Sequence, residues 1–422
     1  MIAGWGRYPR TEGTIIEADD ANTARTLIAS HPSLIPRGNG RAYGDAALSH
    51  SAMLTQTRAD HILAFDPENA EIEVEAGAIL ADLLPFLLAR GFFVPVTPGT
   101  AQVTIGGMAA ADVHGKNHHG AGTFGRHIRA LTMLLADGSQ IRCTPDHELF
   151  WATIGGMGLT GVILTIRFRL IRVAGGMIRQ TAIKTGDLAE TLAASESSRT
   201  ATYSVAWIDC LAGGRGVVFQ GEHAPETTVP PVPRARAVPC DVPPFTLNRL
   251  SIAAFNQTYY HATRAGSALV DVWRFFYPLD AVRGWNRLYG KRGLVQYQCV
   301  LPHEAGEAGL RLLLDEIARQ GLGSFLVVLK LCGEEGNGLL SFPRPGFILA
   351  LDFPATAAIF ALFERLDAIT LDHGGRLYLA KDACAGPDSL RHYQRLDQFR
   401  ALRDRYDPQH RFASLLSQRL GL

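Results

Sequence analysis

The stretch PGTAQVTIGGMAAADVHGKNHHGAGTFG, from Pro98 to Gly125, decides the fold of this chain. It places seven glycines, three histidines and one lysine in 28 positions, around a short apolar run. Glycine at this density costs folding entropy, so a stable chain keeps it where the backbone must bend sharply or approach another group closely. A second glycine-rich stretch, PRGNGRAYGD from Pro36 to Asp45, lies upstream. Two such loops in one half of a chain predict a large polyanion bound along exposed backbone amides.

The composition is that of an ordinary globular protein. A chain of 422 residues is long for a single core, so we expect two domains. The net charge of +1 provides no field for nucleic acid, which is not expected as a partner. The six cysteines are scattered, as in proteins of a reducing compartment. The sequence lacks a signal peptide and a run of about 20 apolar residues, so we expect a cytoplasmic location.

Hydrophobic periodicity predicts strands and helices along most of the chain. The region from about 12 to 175 alternates short strand-like and helical runs, and Pro225 to Pro244, with seven prolines, is expected to be extended. Later strands and helices repeat in a rhythm typical of an α+β domain, in which helices cover one face of an antiparallel sheet. The predicted strands are 71–75, 163–170, 294–301, 324–331, 347–352 and 376–380, and the predicted helices are 80–90, 306–320, 355–372 and the tail 393–422.

Two motifs invite a misleading interpretation. Residues 156–161, GMGLTG, match the GxGxxG pattern of dinucleotide-binding proteins, but the following VILTIRFRL alternates like a strand where that motif requires a helix. The HGKNHH cluster, which begins at His114, permits a metal site, ordinary buried or solvated histidines, or a wall beside a ligand. Its spacing matches no standard zinc signature, so we assign no metal.

A set of motifs in fixed order resembles the vanillyl-alcohol-oxidase type of FAD flavoprotein, and within it the decaprenylphosphoryl-ribose 2′-oxidase family. The resemblance covers nearly the whole chain. The motifs are RGNGRAYGD, PGTAQVTIGG, DVHGKNHH, ELFWATIGGMGLTG, FYPLD, WNRLYG, LVQYQCVLP, LKLCG, LSFPRPG, DFP and GGRLYLAKD, all within residues 37–382, followed by YDPQHRFAS. The resemblance implies a two-domain α+β fold. Its flavin domain would comprise 1–175 and 375–422, and an antiparallel-sheet substrate domain would comprise 176–374.

The resemblance also implies which residues meet flavin and substrate. The flavin-binding positions are Arg37, Gly38, Asn39, Gly40, Arg41, Tyr43, Gly44, Gly99, Thr104, Gly106, Gly107, Asp112, His114, Val162 and Tyr378. The substrate positions are Lys116, Tyr277, Gln296, Gln298, Lys330 and Lys381, and the catalytic positions are Lys381, His114 and Tyr43. Pattern alone leaves open whether Gln298 and Lys330 face solvent or a pocket. A lysine can stabilise reduced flavin, and with a lowered pKa it can accept the hydroxyl proton.

The implied reaction is FAD-dependent oxidation of the ribose 2′-hydroxyl of a polyprenyl-phosphoryl ribose to a ketone. A separate NAD-dependent reductase would complete epimerisation to the arabinose used in cell-wall or glycoconjugate biosynthesis. A lipid substrate implies contact with the inner face of the plasma membrane. Two alternatives are an aldonolactone or alditol oxidase of the same superfamily that uses oxygen, and a non-catalytic flavin-binding partner.

Two departures from the family pattern carry expectations of their own. Arg41 stands where many sugar-oxidising relatives attach FAD through a histidine, so FAD is expected to be held without a covalent bond. Ile348 and Ala350 replace an asparagine and a cysteine that line the pocket in the close family, which changes the shape expected of the sugar site.

Overall fold

The computed structural model describes residues 1–422. Strands and helices alternate along the chain, and three sheets carry most of the architecture. The strands are β1 Ile2–Ala3, β2 Arg10–Thr11, β3 Thr14–Glu17, β4 Leu34–Arg37, β5 Ala52–Thr55, β6 Ile62–Asp66, β7 Glu71–Glu75, β8 Phe92–Phe93, β9 Ile128–Leu134, β10 Gln140–Cys143, β11 Val162–Arg169, β12 Ile171–Arg172, β13 Met177–Thr185, β14 Tyr203–Ile208, β15 Gly216–His223, β16 Arg236–Ala237, β17 Gly266–Asp271, β18 Val282–Arg283, β19 Leu294–Pro302, β20 Val327–Cys332, β21 Gly346–Pro354 and β22 Arg376–Leu377.

The helices are shorter in the first half of the chain than in the second. None of them has the length and hydrophobicity needed to cross a membrane. They are α1 Ala21–Ser30, α2 Leu80–Leu88, α3 Ile105–Ala110, α4 His118–Ala121, α5 Glu148–Thr153, α6 Leu188–Ser197, α7 Arg249–Ala262, α8 Val272–Phe276, α9 His303–Arg319, α10 Ala357–Asp372, α11 Leu396–Tyr406 and α12 Leu415–Leu420.

The first half of the chain forms two sheets. Strands β3, β5 and β4 make a parallel three-stranded sheet, and β10, β9, β11, β7 and β6 make an antiparallel five-stranded sheet in that order. The C-terminal tail returns to this half, where Phe412 forms a bridge with Leu34 and packs in the same core cluster. The ends of the sequence therefore share one core.

An eight-stranded sheet, in the order β17-β13-β15-β14-β20-β21-β19-β22, occupies the middle of the chain, with every pairing antiparallel. Helices α6, α9 and α10 bury their apolar side chains against one face of it. The mixture of helices and antiparallel sheets confirms the predicted α+β fold. The domain boundaries at 175/176 and 374/375 remain predictions.

Most of the predicted elements occur within a few residues of their expected bounds. The GMGLTG segment runs directly into strand β11, so the rejection of a dinucleotide-binding turn and helix is confirmed. Between Pro225 and Pro244 the only regular element is the two-residue β16, which pairs with β18.

Two predicted elements need correction. The strand expected at 376–380 ends at Leu377, because the amides of Lys381 and Asp382 both donate to the carbonyl of Tyr378 and form a turn. The helical tail is divided into α11 and α12. The carboxylate of Asp407 accepts hydrogen bonds from the amides of Arg411 (2.9 Å) and Phe412 (2.8 Å), and this local bonding replaces the helix.

Candidate active site

A cavity of about 1250 Å³ lies between the glycine-rich loops and the uncovered face of the eight-stranded sheet. Most of the predicted site residues meet in it. Those on its wall are Arg37, Gly38, Asn39, Gly40, Arg41, Tyr43, Gly99, Thr104, Gly106, Gly107, His114, Lys116, Gln296, Gln298, Lys330, Tyr378 and Lys381. Four others, Gly44, Asp112, Val162 and Tyr277, lie behind the wall.

The first glycine-rich loop presents backbone that no protein group occupies. None of the amides from Gly38 to Arg41 donates a hydrogen bond to another protein atom. Gly40 has φ +62°, a conformation that favours glycine. A Cβ on Gly38 would lie 2.3 Å from Oγ1 of Thr104, so the two loops touch there. Unpaired amides in a tight loop are the donors that phosphate oxygens need.

The two arginines of this loop have different surroundings. Arg37 anchors the loop, since its guanidinium donates to the carbonyls of Ala47 (3.0 Å) and Ala3 (2.8 Å). The guanidinium of Arg41 lies 4.3 Å from the ring centroid of Trp5, and its buried Nε has no partner. Arg41 therefore brings positive charge to the wall of the cavity, beside the unpaired amides.

The second glycine-rich loop is fixed by its polar side chains. Thr104 caps α3 by accepting a hydrogen bond from the amide of Gly107 (3.1 Å). Asp112 accepts hydrogen bonds from the amide of Gly125 (3.0 Å) and from the hydroxyl of Ser341 (2.5 Å). Asp112 is buried behind the wall, so in this structure it joins loops that form the site.

The opposite wall of the cavity follows from the alternation of side chains along strands. In β19, Tyr297 and Cys299 pack against the helices, whereas Gln296 and Gln298 face the cavity. In β20 the same alternation directs Leu329 to the core and Lys330 to the cavity. Gln298 and Lys330, for which pattern alone left both possibilities open, therefore face the pocket and not the solvent.

His114 is a neutral side chain in this wall. Burial, together with the positive charge of Lys330, holds the pKa of its imidazole well below the usual range. The amide Nε2 of Gln298 lies 2.9 Å from its Nε2 and donates to that nitrogen. The ring also lies 5.4 Å from that of Tyr378, whose hydroxyl donates to the carbonyl of Ala111 (2.8 Å). The contacts connect the glycine-rich loop to the sheet.

Lys381 places a buried amine on the wall of the cavity. Its Nζ lies 3.7 Å from the ring centroid of Tyr43 and has no hydrogen-bond acceptor or carboxylate partner in the protein. Burial lowers its pKa to about 8, although the nearby carboxylate of Asp352 acts in the opposite direction. A lysine with such a pKa exists as both amine and ammonium near neutral pH, so it can accept a proton.

Asp352 is a residue that the sequence analysis missed. It is buried, accepts a hydrogen bond from Gln296 at 2.5 Å through Oδ1, and has no partner at Oδ2. Burial raises its pKa to about 7. The DFP motif contains this aspartate, but only its position opposite Gln296 in the β19–β21 register connects it with Lys381.

A second missed residue is Asp280, which belongs to the FYPLD motif. Its carboxylate accepts hydrogen bonds from the hydroxyl of Thr100 (2.6 Å) and the amide of Ala101 (2.7 Å). In the same motif, the buried hydroxyl of Tyr277 lies 2.6 Å from that of Thr97. Both residues attach the glycine-rich loop to the middle of the chain, across about 180 residues of sequence.

Two more lysines place positive charge on the cavity wall. Burial lowers the pKa of Lys330 to about 8 and that of Lys116 to about 7. Lys116 donates to the carbonyl of Phe275, whereas Nζ of Lys330 has no acceptor in the protein. Lys330 and Lys381 thus leave two amines available to an anionic or hydroxylated ligand.

The histidines of HGKNHH bond to separate partners. His118 accepts a hydrogen bond from the amide of Gly333 (3.2 Å), and His119 bonds to the carbonyl of Ala201 (2.8 Å). No group of three or more His, Cys, Asp or Glu side chains in the protein is arranged to hold a metal ion. The His114 side of the cluster belongs to the cavity wall.

The two positions that depart from the family pattern differ in exposure to the cavity. Ala350 lies on the wall, opposite Gln298 in the β19–β21 register. Ile348 is fully buried between Val300 and Lys330 on the neighbouring strands. A small side chain at 350 therefore enlarges the cavity, whereas the side chain at 348 does not line it and lies between strands β19 and β20.

Comparison with known proteins identifies the cofactor of this chain. A family model described as an FAD binding domain matches residues 16–144, which include both glycine-rich loops. The unpaired amides from Gly38 to Arg41 and the charge of Arg41 fit the pyrophosphate of FAD. The chain is an FAD-binding oxidoreductase, and the residues of the two glycine-rich loops fit that cofactor.

A relative that matches over nearly its full length extends the similarity beyond the glycine-rich loops. The chain is similar to decaprenylphosphoryl-β-D-ribose oxidase of Mycolicibacterium smegmatis, with 34% identity over 448 residues that cover all of this chain and 97% of the relative. L-Gulonolactone oxidase of Mus musculus is 30% identical over 138 residues, 32% of this chain and 31% of that protein. The similarity to the first of these relatives includes strands β19 and β20 as well as the two glycine-rich loops. The chain belongs to the decaprenylphosphoryl-β-D-ribose oxidase family of FAD-dependent oxidoreductases.

Proposed function

We propose that this enzyme oxidises the 2′-hydroxyl of a polyprenyl-phosphoryl-β-D-ribose of the decaprenyl type to the 2′-ketone, the first step of epimerisation to an arabinose donor. The single observation that carries the proposal is the free amine of Lys381 in a cavity that also holds the flavin loops. The full-length similarity to a decaprenylphosphoryl-ribose oxidase supports the choice of substrate.

We assign the chain regions to the two halves of this task. Residues 1–175 and 375–422 form the flavin domain, and residues 176–374 form the substrate domain. Support comes from the eight-stranded sheet, seven of whose strands lie between Met177 and Pro354, and from the core shared by Leu34 and Phe412.

Bound FAD supplies the acceptor for the hydride that leaves carbon 2′. Lys381 in its neutral form takes the hydroxyl proton, and the resulting ammonium then stabilises negative charge on the reduced cofactor. Asp352 keeps the pKa of Lys381 from falling further, and Tyr43 holds the amine against its ring. One group thus removes the proton and afterwards provides the counter-charge.

The remaining polar side chains hold and orient the sugar phosphate. Lys330 and Lys116 provide positive charge for the phosphate, and Gln296 and Gln298 provide amides for the ribose hydroxyls. His114 is neutral, so it contributes hydrogen bonding and packing at the wall. Gln296, Gln298 and Lys330 extend from strands of the sheet, so these three side chains would hold the sugar at a fixed position beside the flavin.

The product of this step is a ketone on a lipid carrier, so a second enzyme must reduce it to invert the carbon. We propose an NAD-dependent 2′-keto reductase as the partner. Because the substrate is a lipid, we also propose that the enzyme works in the cytoplasm at the inner face of the plasma membrane.

Anaerobic flavin reduction tests the proposal. The oxidised enzyme should lose its yellow absorbance when mixed with a polyprenyl-phosphoryl ribose, and should keep it with the matched 2′-deoxyribose lipid, which has no hydroxyl to oxidise. Bleaching by free alditols or aldonolactones, without bleaching by the ribose lipid, would contradict the substrate assignment. A flavin that stays oxidised with every one of these compounds would contradict catalysis itself.

A further inference from the structure

The mouth of the cavity carries an unusual density of exposed apolar side chains. Six of the eleven large apolar side chains that are exposed on the protein lie between residues 229 and 269. Apart from Met1, the two most exposed are Leu250 (82%) and Phe245 (77%). Val232 and Phe255 are 53% and 47% exposed and also line the cavity, so they stand where it opens to solvent.

The two most exposed side chains are presented by ordered backbone. Asn248 caps α7, since its Oδ1 accepts hydrogen bonds from the amides of Leu250 (2.9 Å) and Ser251 (3.1 Å). Its side-chain amide donates to the carbonyl of Phe245 (2.9 Å). The same cap therefore fixes the backbone beneath both apolar side chains, which project from the protein although no part of it covers them.

Positive charge predominates in the part of the chain that carries these side chains. Residues 225–292 contain nine Lys and Arg against four Asp and Glu, a local net charge of +5 in a chain whose total is +1. Only Arg287 among the nine pairs with a carboxylate, that of Asp241. Arg234, Arg236 and Arg249 are exposed and have no acidic partner. Apolar side chains set among unpaired arginines are complementary to a surface that is both anionic and hydrophobic.

We propose that this surface, the mouth rim formed by Val232, Arg234, Arg236, Phe245, Arg249, Leu250 and Phe255, docks the enzyme on an anionic lipid bilayer. The inference rests on the proposed function and adds the orientation in which the enzyme works. A lipid whose sugar phosphate lies beside the flavin must leave the cavity through its mouth. If its tail is to remain in the bilayer, the mouth has to face the membrane.

Vesicle cosedimentation of the flavin-loaded full chain tests the docking directly. Vesicles of phosphatidylcholine with an equal amount of phosphatidylglycerol should bind the enzyme, and vesicles of phosphatidylcholine alone should bind it much less. Raising the salt to about 0.5 M should release much of the bound protein, since screening shortens the range of the charges. Equal binding to both vesicles, or to neither, would overturn the proposal.

Variants outside the catalytic cavity separate the contribution of the apolar side chains to membrane binding from that of the arginines. Phe245→Ser with Leu250→Ser should weaken partition to the anionic vesicles at least about tenfold, because two large apolar side chains no longer insert. Arg236→Gln with Arg249→Gln should weaken it by roughly fivefold per arginine. Leu63→Ser is the matched control and should bind like the parent, because Leu63 is a half-exposed leucine of β6 in the five-stranded sheet. Parent-like binding by both double variants would also overturn the proposal.

Turnover of a short-chain, water-soluble prenyl-phosphoryl ribose distinguishes a failure of docking from a failure of function. The double variants should oxidise this substrate like the parent, since none of the four substituted residues lines the cavity. Turnover without vesicle binding would reject the docking surface alone, and vesicle binding without turnover would reject the function alone. Self-association of the parent that is lost in the Phe245/Leu250 variant, together with absent vesicle binding, would assign the surface to a second copy of the chain.

Discussion

At the scale of single residues, the site depends on how burial lowers the pKa of Lys381. The sequence placed Lys381 within GGRLYLAKD, and the resemblance implied its catalytic position, but the cause of its reactivity appears only in three dimensions. Tyr43 comes from a loop more than 300 residues earlier, and Asp352 comes from a neighbouring strand. A linear pattern cannot show that these groups surround one amine, because their proximity is set by strand register and loop contact.

The lowered pKa of Lys381 predicts a pH dependence with a definite sign. A base must be unprotonated, and the amine loses its proton as the pH rises through about 8. The rate of flavin reduction at a saturating concentration of the ribose lipid should therefore rise with pH and level off above that value, falling about tenfold for each pH unit below it. Stopped-flow rates between about pH 6 and pH 9 measure the profile; a flat profile would contradict the assignment of the base.

Replacement of the amine gives an independent check. Lys381→Met should lower the rate of flavin reduction by about 100-fold or more and remove the rising limb of the profile. Lys184→Met is the control, because Lys184 also places its Nζ over a tyrosine ring, that of Tyr260, but lies away from the cavity. This variant should leave the rate of flavin reduction and its pH profile unchanged. Stopped-flow absorbance of the flavin is the measurement, and flavin content verifies that each variant is loaded.

At the scale of elements, the last helix joins the two loops that carry Tyr43 and Lys381. From α12, Arg419 donates to both oxygens of Asp45 (3.0 and 2.8 Å) and to the carboxylate of Asp382 (2.9 Å). Asp382 directly follows Lys381 in the chain, and a Cβ on Gly44 would lie only 1.6 Å from its carbonyl oxygen. The contacts hold the lysine against the tyrosine ring.

Loss of the guanidinium should therefore affect both stability and the rate of the reaction. Arg419→Met leaves two buried carboxylates without their partner, so the free energy of unfolding should fall by about 3 kcal/mol or more. Flavin reduction should slow as well, because Lys381 loses its fixed position. Arg405→Met, which removes an exposed pair with Glu148, should cost less than about 1 kcal/mol. Denaturant titration and stopped-flow rates measure the effects; equal losses in both variants would contradict the joining role of Arg419.

The elements that sequence predicted well are those with local signals. Strand β7 and helix α2 have clear periodicity and are confirmed within two residues. The strand expected at 376–380 was wrong beyond Leu377, because its apolar side chains resemble a strand while its amides form a turn. The hydrogen bonds of Arg419 to Asp45 and Asp382 could not be predicted from the local sequence, since an arginine in a helical tail is usually a solvated side chain.

At the scale of the whole molecule, side chains from both ends of the chain and from its middle line one cavity. The family resemblance implied this arrangement through the glycine-rich loops and the motif around Lys381. It could not predict the cavity volume or which side chains stand behind the wall. Tyr277 and Asp112 are examples, since each bonds to another loop and only packing shows that it does not reach the cavity.

Arg41 in the first loop predicts how the cofactor is held. Without a histidine at that position, FAD is retained by amides, charge and packing, so acid precipitation should release all of it into the supernatant. Absorbance of the supernatant and of the washed pellet measures the two fractions. Arg41→Gln should release flavin more readily by dilution than the parent, whereas Arg58→Gln, at an exposed surface arginine, should not. Flavin that stays in the pellet would reveal a covalent bond.

The alternation along β19, β20 and β21 has a consequence for how this family diversifies. Alternate side chains on these strands build the helix-covered core, and those between them, such as Gln298, Lys330 and Ala350, face the cavity. Specificity and foldability are thus encoded on the same strands by separate sets of positions. A laboratory library that randomises only the cavity-facing positions can explore new sugars while the scaffold stays constant.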